Sequence, residues 1–298
     1  MIIVTNPGSN LPAAVVERYG ILVAPQQIVV DGVAHDTRHG VDMAMVEGWV
    51  RSAKEHPHVV GTTAAEFVSV LRGATRQDRE VLVIMTSRKI IGSFDAAQVA
   101  ARTLLRMTGN EGVRVVVCDT GVTDAGAGMA CILAGEARAA GLSLDEVVQL
   151  LDAYRTQVRF GFLTETLEYL VKGGRATALR ALLANVLGVR PLVAFNEGEL
   201  RVVAKVSTKV EPGEALAQWV EGSLGPGRRI WAAIFHGGVP ERAVKTAVAL
   251  RKRLDVSFLW IMPLSPSIYL HTGPGAVGVA VVPLSVLPWW PDAAPLIG

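Results

Sequence analysis

Val81-Leu82-Val83-Ile84-Met85 is a continuous run of apolar, mostly branched residues with no polar alternation. Such a run reads as a strand covered on both faces. Residues 93–107 follow with helical periodicity, Val113–Cys118 forms a second buried-type strand, and Thr123–Ala139 a second long helix. Gly141 ends that helix, and Ser143 with Glu146 makes a capping box for a further helix to about Tyr154. Strands alternating with helices in this way imply a mostly parallel sheet flanked by helices.

Working back to the start of the chain, Ile2–Thr5 reads as a short strand, and Asn10 as the N-cap of a helix to Tyr19 with Pro12 in its first turn. Ile21–Pro25 and Gln27–Val30 read as strands, with a turn at Asp31-Gly32. Asp42 and Thr63 are expected to cap helices through Lys54 and Leu71.

Beyond Tyr154 the pattern changes. Val158–Leu163, Leu192–Phe195, Leu200–Val206, Ile230–Phe235 and Val256–Ile261 read as strands, and Asn196-Glu197-Gly198-Glu199 as a hairpin turn. Helices are expected over Glu165–Val171, Ala176–Leu187, Gly213–Ser223 and Pro240–Leu254. The fold class expected is therefore two-domain α/β. A mostly parallel N-terminal domain covers residues 1–157, and a mixed or antiparallel α+β domain covers 158–298. The tail 283–298 carries four prolines and the pair Trp289-Trp290, which suits a segment laid on a surface, an oligomer contact or a cover over a pocket mouth.

Composition excludes several functions. Half of the 298 residues are hydrophobic, 19% are charged and the net charge is +2, so no basic stripe for nucleic acid is present. No apolar run approaches the roughly 20 residues needed to span a bilayer. The N-terminus lacks a signal-peptide pattern, and a cytoplasmic location is expected. Cys118 and Cys131 lie in apolar stretches and read as small core residues. Asp119-Thr120-Gly121 resembles an aspartic-protease loop, but that chemistry needs two facing loops and the chain has one. Gly126 and Gly128 lack the dinucleotide spacing, so no cofactor is implied. His35, Asp36, His39 and Asp42 read as a polar loop and not as a metal site.

Several segments resemble the DegV family, in family order and along nearly the whole chain. They are Ile3-Val4-Thr5 with Leu11-Pro12, Asp31-Gly32, Gly40-Val41-Asp42, Leu167–Arg175, Leu187–Leu192 and His271-Thr272-Gly273-Pro274-Gly275. The resemblance implies a non-enzymatic two-domain protein that buries a long-chain fatty acid between its domains and presents the carboxylate to a separate fatty acid kinase. An acyl tail of about 14 methylenes contributes on the order of 11 kcal/mol at roughly 0.8 kcal/mol each, before entropic losses.

The same comparison shows departures in the expected head-group loops. The family's Thr-Ser-Gln-Pro-Ser is matched by Val59-Val60-Gly61-Thr62-Thr63, its Leu-Ser-Gly-Thr by Ile90-Ile91-Gly92-Ser93, and its Asp-Ser-Thr by Asn6-Pro7-Gly8. Val59 and Ile91 stand where the family places hydroxyls. Hydrogen bonds to a charged head group are worth about 1.5–3 kcal/mol each. The expected ligand contacts are therefore Val59, Gly61, Thr62, Thr63, Ile91, Gly92 and Ser93 from these loops, with Arg175, His271, Thr272 and Gly273 as the second polar group. Ser93 is expected to cap the helix it opens. Two alternatives stay open at this point: a relative with a different apolar ligand, and a small-molecule enzyme with Thr62, Ser93, Arg175 and His271 as its polar centre.

Overall fold

A computed structural model describes residues 1–39, 41–107, 109, 112–174 and 188–286. The chain begins β1 (Ile2–Thr5), α1 (Ala13–Arg18), β2 (Leu22–Val23), β3 (Gln27–Val30), β4 (Val33–Asp36), α2 (Met43–Ser52), β5 (His58–Val60), α3 (Ala64–Thr75) and β6 (Glu80–Met85). It continues α4 (Ser93–Met107), β7 (Arg114–Asp119), α5 (Asp124–Ala139) and α6 (Leu144–Gln157). The remainder is β8 (Arg159–Leu163), α7 (Glu168–Lys172), β9 (Val189–Asn196), β10 (Glu199–Ser207), α8 (Pro212–Leu224), β11 (Arg229–His236), α9 (Pro240–Arg253), β12 (Asp255–Pro263), α10 (Pro266–Thr272) and β13 (Val277–Pro283).

These elements divide into two compact units, one of Met1–Asp42 with His58–Thr156 and one of Met43–Pro57 with the described residues from Gln157 onward. In the first, β2-β1-β6-β7 form a four-stranded sheet in which every pairing is parallel. The alternation of a strand explains its two buried faces. Val4, Val81, Val83 and Met85 pack with Phe67 and Leu71 of α3 and with Phe94, Ala97 and Leu104 of α4. Ile3, Leu82 and Ile84 point the other way and are equally buried, and α5 contacts β1 and β6. A small antiparallel sheet, β4-β3-β5, accompanies this unit.

The first helix differs from expectation. Asn10 does not cap α1: it takes a left-handed conformation (φ 50°) closing the turn Pro7–Ser9, and Pro12 itself stands at the N-cap of α1. Thr63 caps α3 as read, with its backbone N–H donating to Glu66 Oε2 at 2.7 Å and its hydroxyl accepting from Glu66 N at 3.3 Å. Ser143 and Glu146 repeat the arrangement before α6.

The second unit is built on a six-stranded mixed sheet in the order β10-β9-β8-β13-β11-β12. The β9–β10 hairpin turns through Glu197 and Gly198, both at positive φ, as a two-residue turn requires. One face of the sheet packs Leu163, Leu192, Ile234 and Val279 against Leu216 and Val220 of α8 and Leu250 of α9. The opposite face is aromatic. Phe160 stacks on Phe235 at 4.7 Å between centroids and meets Phe195 edge-on at 5.3 Å. The expected helix Ala176–Leu187, Arg175 and the Trp289-Trp290 tail lie outside the described residues.

Removing the ring at the centre of that aromatic cluster is expected to be costly. Phe160→Ala should lower the stability of the second unit by about 3–5 kcal/mol, whereas Phe160→Leu should cost well under half of that. Guanidinium denaturation followed by tryptophan fluorescence reads both, and equal effects from the two variants would contradict this packing.

Candidate functional site

The expected site residues fall into two groups, one in each unit. The first group lies at the carboxyl edge of the parallel sheet. There β5 pairs antiparallel with β3, placing Val59 opposite Ile28, and the chain then turns through Gly61 into α3. Thr62 is buried, and its hydroxyl donates to the Pro25 carbonyl, which ties this turn to the loop after β2. Thr63 spends its hydroxyl on the helix cap.

Gly61 rests directly on the start of α4. A Cβ placed there would collide with Ser93 Oγ and would stand 3.2 Å from Ile91 Cδ1. Only glycine permits that approach. The loop Ile91-Gly92-Ser93 thus lies under the Gly61 turn. Ile91 fills the contact with apolar carbon.

Ser93 departs from its expected role. It is the first residue of α4 and not its cap, and the structure gives its buried hydroxyl no hydrogen-bond partner. The first helical turn also has backbone N–H groups without intrahelical acceptors. Ser93 is therefore a donor set beside the positive end of a 15-residue helix. Two residues that periodicity does not single out share the condition of Ser93. Asn6, immediately after β1, has neither amide atom partnered, and Gln26 has an unpartnered Oε1. An amide immediately after the short strand Ile2–Thr5 is the one signal the sequence offers for Asn6.

The second group is organised by α7 and α10. His271, near the end of α10, is buried and packs against Gly173, where a Cβ would collide with its Nδ1. Thr272 donates its hydroxyl to the Ile268 carbonyl at 3.1 Å. Gly273 ends α10 at φ 76° against the ring of Tyr169. His56 braces the same helix, with Nε2 3.0 Å from the Leu270 carbonyl and its ring 6.1 Å from that of Tyr169. Burial pushes His56 and His236 below the ordinary histidine value. Burial also pushes Tyr269 up to about 12, with Glu47 adding to the effect. Arg175, the remaining member expected here, lies outside the described residues.

Other chemistries find less support in the geometry. Asp119 accepts from Gly121 N at 2.9 Å and pairs with Arg155 at 3.6 Å, so it organises its own turn. Burial, reinforced by Asp152 and Asp119, pushes the Cys118 thiol up to about 12, far from a nucleophilic thiolate. Among the described residues no group of three or more His, Cys, Asp or Glu is arranged to hold a metal, and Asp36 is engaged by Arg38 at 2.6 Å. No helix among them is long and apolar enough to cross a membrane.

With this geometry in view, the relatives are informative. The profile of the family described as "Uncharacterised protein, DegV family" matches residues 1–284. A DegV domain-containing protein of Deinococcus radiodurans is 30% identical, over 95% of this chain and 98% of its own. One of Streptomyces coelicolor is 29% identical, over 94% and 97%. Among solved structures, a fatty-acid-binding DegV family protein from Thermus thermophilus is similar at 26% identity with a TM-score of 0.86, covering 95% of this chain and 99% of its own. DegV of Bacillus subtilis, at 21% identity and a TM-score of 0.82, shares the fold over 95% of this chain and 98% of its own. The chain belongs to the DegV family.

The Ser93 hydroxyl gives a direct test of function against architecture. Removing an unpartnered buried hydroxyl carries no lost hydrogen bond. Ser93→Ala is therefore expected to leave thermal stability unchanged or slightly raised. Gly61→Val, which forces a side chain into Ser93 and Ile91, should lower it by about 1–3 kcal/mol. A melting temperature for Ser93→Ala well below that of the parent would show the hydroxyl to be structural.

Proposed function

We propose that this protein binds a long-chain fatty acid or a closely similar lipid, acts as its carrier, and presents the polar end to a separate fatty acid kinase while doing no chemistry itself. The observation that carries the reading is the buried, unpartnered Ser93 hydroxyl in the first turn of α4, in a chain similar along 95% of its length to a fatty-acid-binding protein. Ser93 Oγ–H and the amides of Gly92 and Ser93 supply donors for the head group. Thr62 and Thr63 hold the covering turn in place, and Val59 and Ile91 offer carbon to the ligand. Arg175 and His271, with Thr272 and Gly273, are the basic and polar contacts of the second unit that this reading retains. Lipid is also the occupant that suits a chain half of whose residues are hydrophobic.

The experiment is extraction of protein produced in a heterologous host, with native mass spectrometry before and after. About one fatty acid per chain is expected. Ser93→Ala should weaken retention roughly 10–100-fold, the equivalent of one hydrogen bond to a charged group. A protein that emerges empty and takes up no radiolabelled palmitate would overturn the proposal. For the partner step, adding a purified bacterial fatty acid kinase and ATP to the loaded protein should yield acyl phosphate; no product would remove the kinase from the reading and leave lipid binding standing.

A further inference from the structure

We propose that the polar end of the preferred lipid carries a hydrogen-bond donor, a hydroxyl or an amide N–H, in addition to its acceptor oxygen. This rests on the lipid-binding reading above and specifies the head group. The sheet order β2-β1-β6-β7 leads outward in opposite directions from β1 and β6. In an open parallel sheet, that is the point where the loops beyond the carboxyl ends part and leave a crevice for a ligand. Asn6 is the first residue beyond β1 and Thr86 the first beyond β6. The two loops meet there: a Cβ on Gly8 would lie 3.3 Å from Asn6 Oδ1 and 3.1 Å from Thr86 Cγ2.

The other two polar groups are tied to the same edge. Ala24 N donates to the Thr5 carbonyl at 2.8 Å, bringing the loop after β2 beside Asn6 with Gln26 two residues further on. Thr62 bonds the Pro25 carbonyl, and the adjoining Gly61 lies on Ser93. Asn6, Ser93 and Gln26 are 0%, 2% and 3% exposed. Between them Asn6 Nδ2, Asn6 Oδ1, Gln26 Oε1 and Ser93 Oγ have no partner. Buried polar atoms are nearly always paired, so four orphans on one linked set of loops point to an external partner.

The chemistry of the four atoms defines that partner. The Asn6 amide offers donors and an acceptor, whichever way its oxygen and nitrogen are assigned; Ser93 can do both; Gln26 Oε1 only accepts. A bare carboxylate is acceptor-only. It satisfies Ser93 and the Asn6 NH2 but leaves two carbonyl oxygens facing a charge of their own sign. An added O–H or N–H on the ligand satisfies them. The four atoms are sealed from solvent, and Gly61 lies directly on Ser93 Oγ, so a ligand reaches Ser93 only when that turn shifts.

Isothermal titration of delipidated protein at neutral pH with palmitic acid, 2-hydroxypalmitic acid and palmitamide tests this. At least one of the donor-bearing lipids is expected to bind about ten-fold or more tightly than palmitic acid. Asn6→Leu, close to isosteric, should reduce that advantage below about three-fold, and Gln26→Met should do the same if Asn6→Leu proves unfolded by circular dichroism. Palmitic acid binding as tightly as both others, or an advantage that survives in the folded variants, would overturn the inference while lipid binding stands. Failure of all three lipids to bind would overturn the lipid reading itself.

Discussion

The parallel pairing of β1 with β6 is the constraint from which the first unit follows. Their register, Ile2 with Val81 through Val4 with Val83, sends both strands in one direction and so puts both of their exits on the same edge. Parallel neighbours cannot be joined by a tight turn. The chain must cross back, and it does so through helices that bury both faces of the sheet. The loops 6–10 and 86–92 are left together at the carboxyl edge as a result. In the first unit Asn6, Gln26 and Thr62 hang on loops gathered there, and Ser93 opens α4 beside them. The site is thus a by-product of backbone hydrogen bonding, filled in by a few side chains.

Much of this architecture could be read from residues. The unbroken Val81–Met85 run announces a strand covered on both faces, and the pairs Thr63/Glu66 and Ser143/Glu146 mark the starts of α3 and α6. Asn196–Glu199 turns where its glycine demands. Other elements were hidden for physical reasons. Val277–Pro283 pairs on both sides in the middle of the second sheet, yet its glycine and alanine weaken the strand signature. Helix α10 is seven residues long and enters on Ser265-Pro266, too short for periodicity to register. Ser93 reads as a cap because serine so often is one; only packing reveals that its hydroxyl has been turned inward. The orphaned amides of Asn6 and Gln26 are a property of tertiary arrangement and leave almost no trace in one dimension.

Ile91 makes the contact with Gly61 that shapes the turn. Val59 lies within β5, opposite Ile28. In the second unit the polar character is kept by a different device: His271 is buried against Gly173, and α10 is braced through the Leu270 carbonyl by His56.

The segment Met43–Pro57 gives the chain an order of assembly. It lies between β4 and β5 in sequence but belongs to the compact unit built mainly from the other half, where α2 packs on α10 and His56 reaches a carbonyl 214 residues away. During synthesis at about 5–20 residues per second, that helix waits roughly 10–40 s for its partners to be made. The first unit must close its sheet around a detour whose apolar face, Val46 included, has nothing yet to bury it. Neither unit is a single stretch of chain. Cutting the gene at the obvious midpoint yields two fragments, of which the first carries a helix it cannot use and the second lacks one it needs.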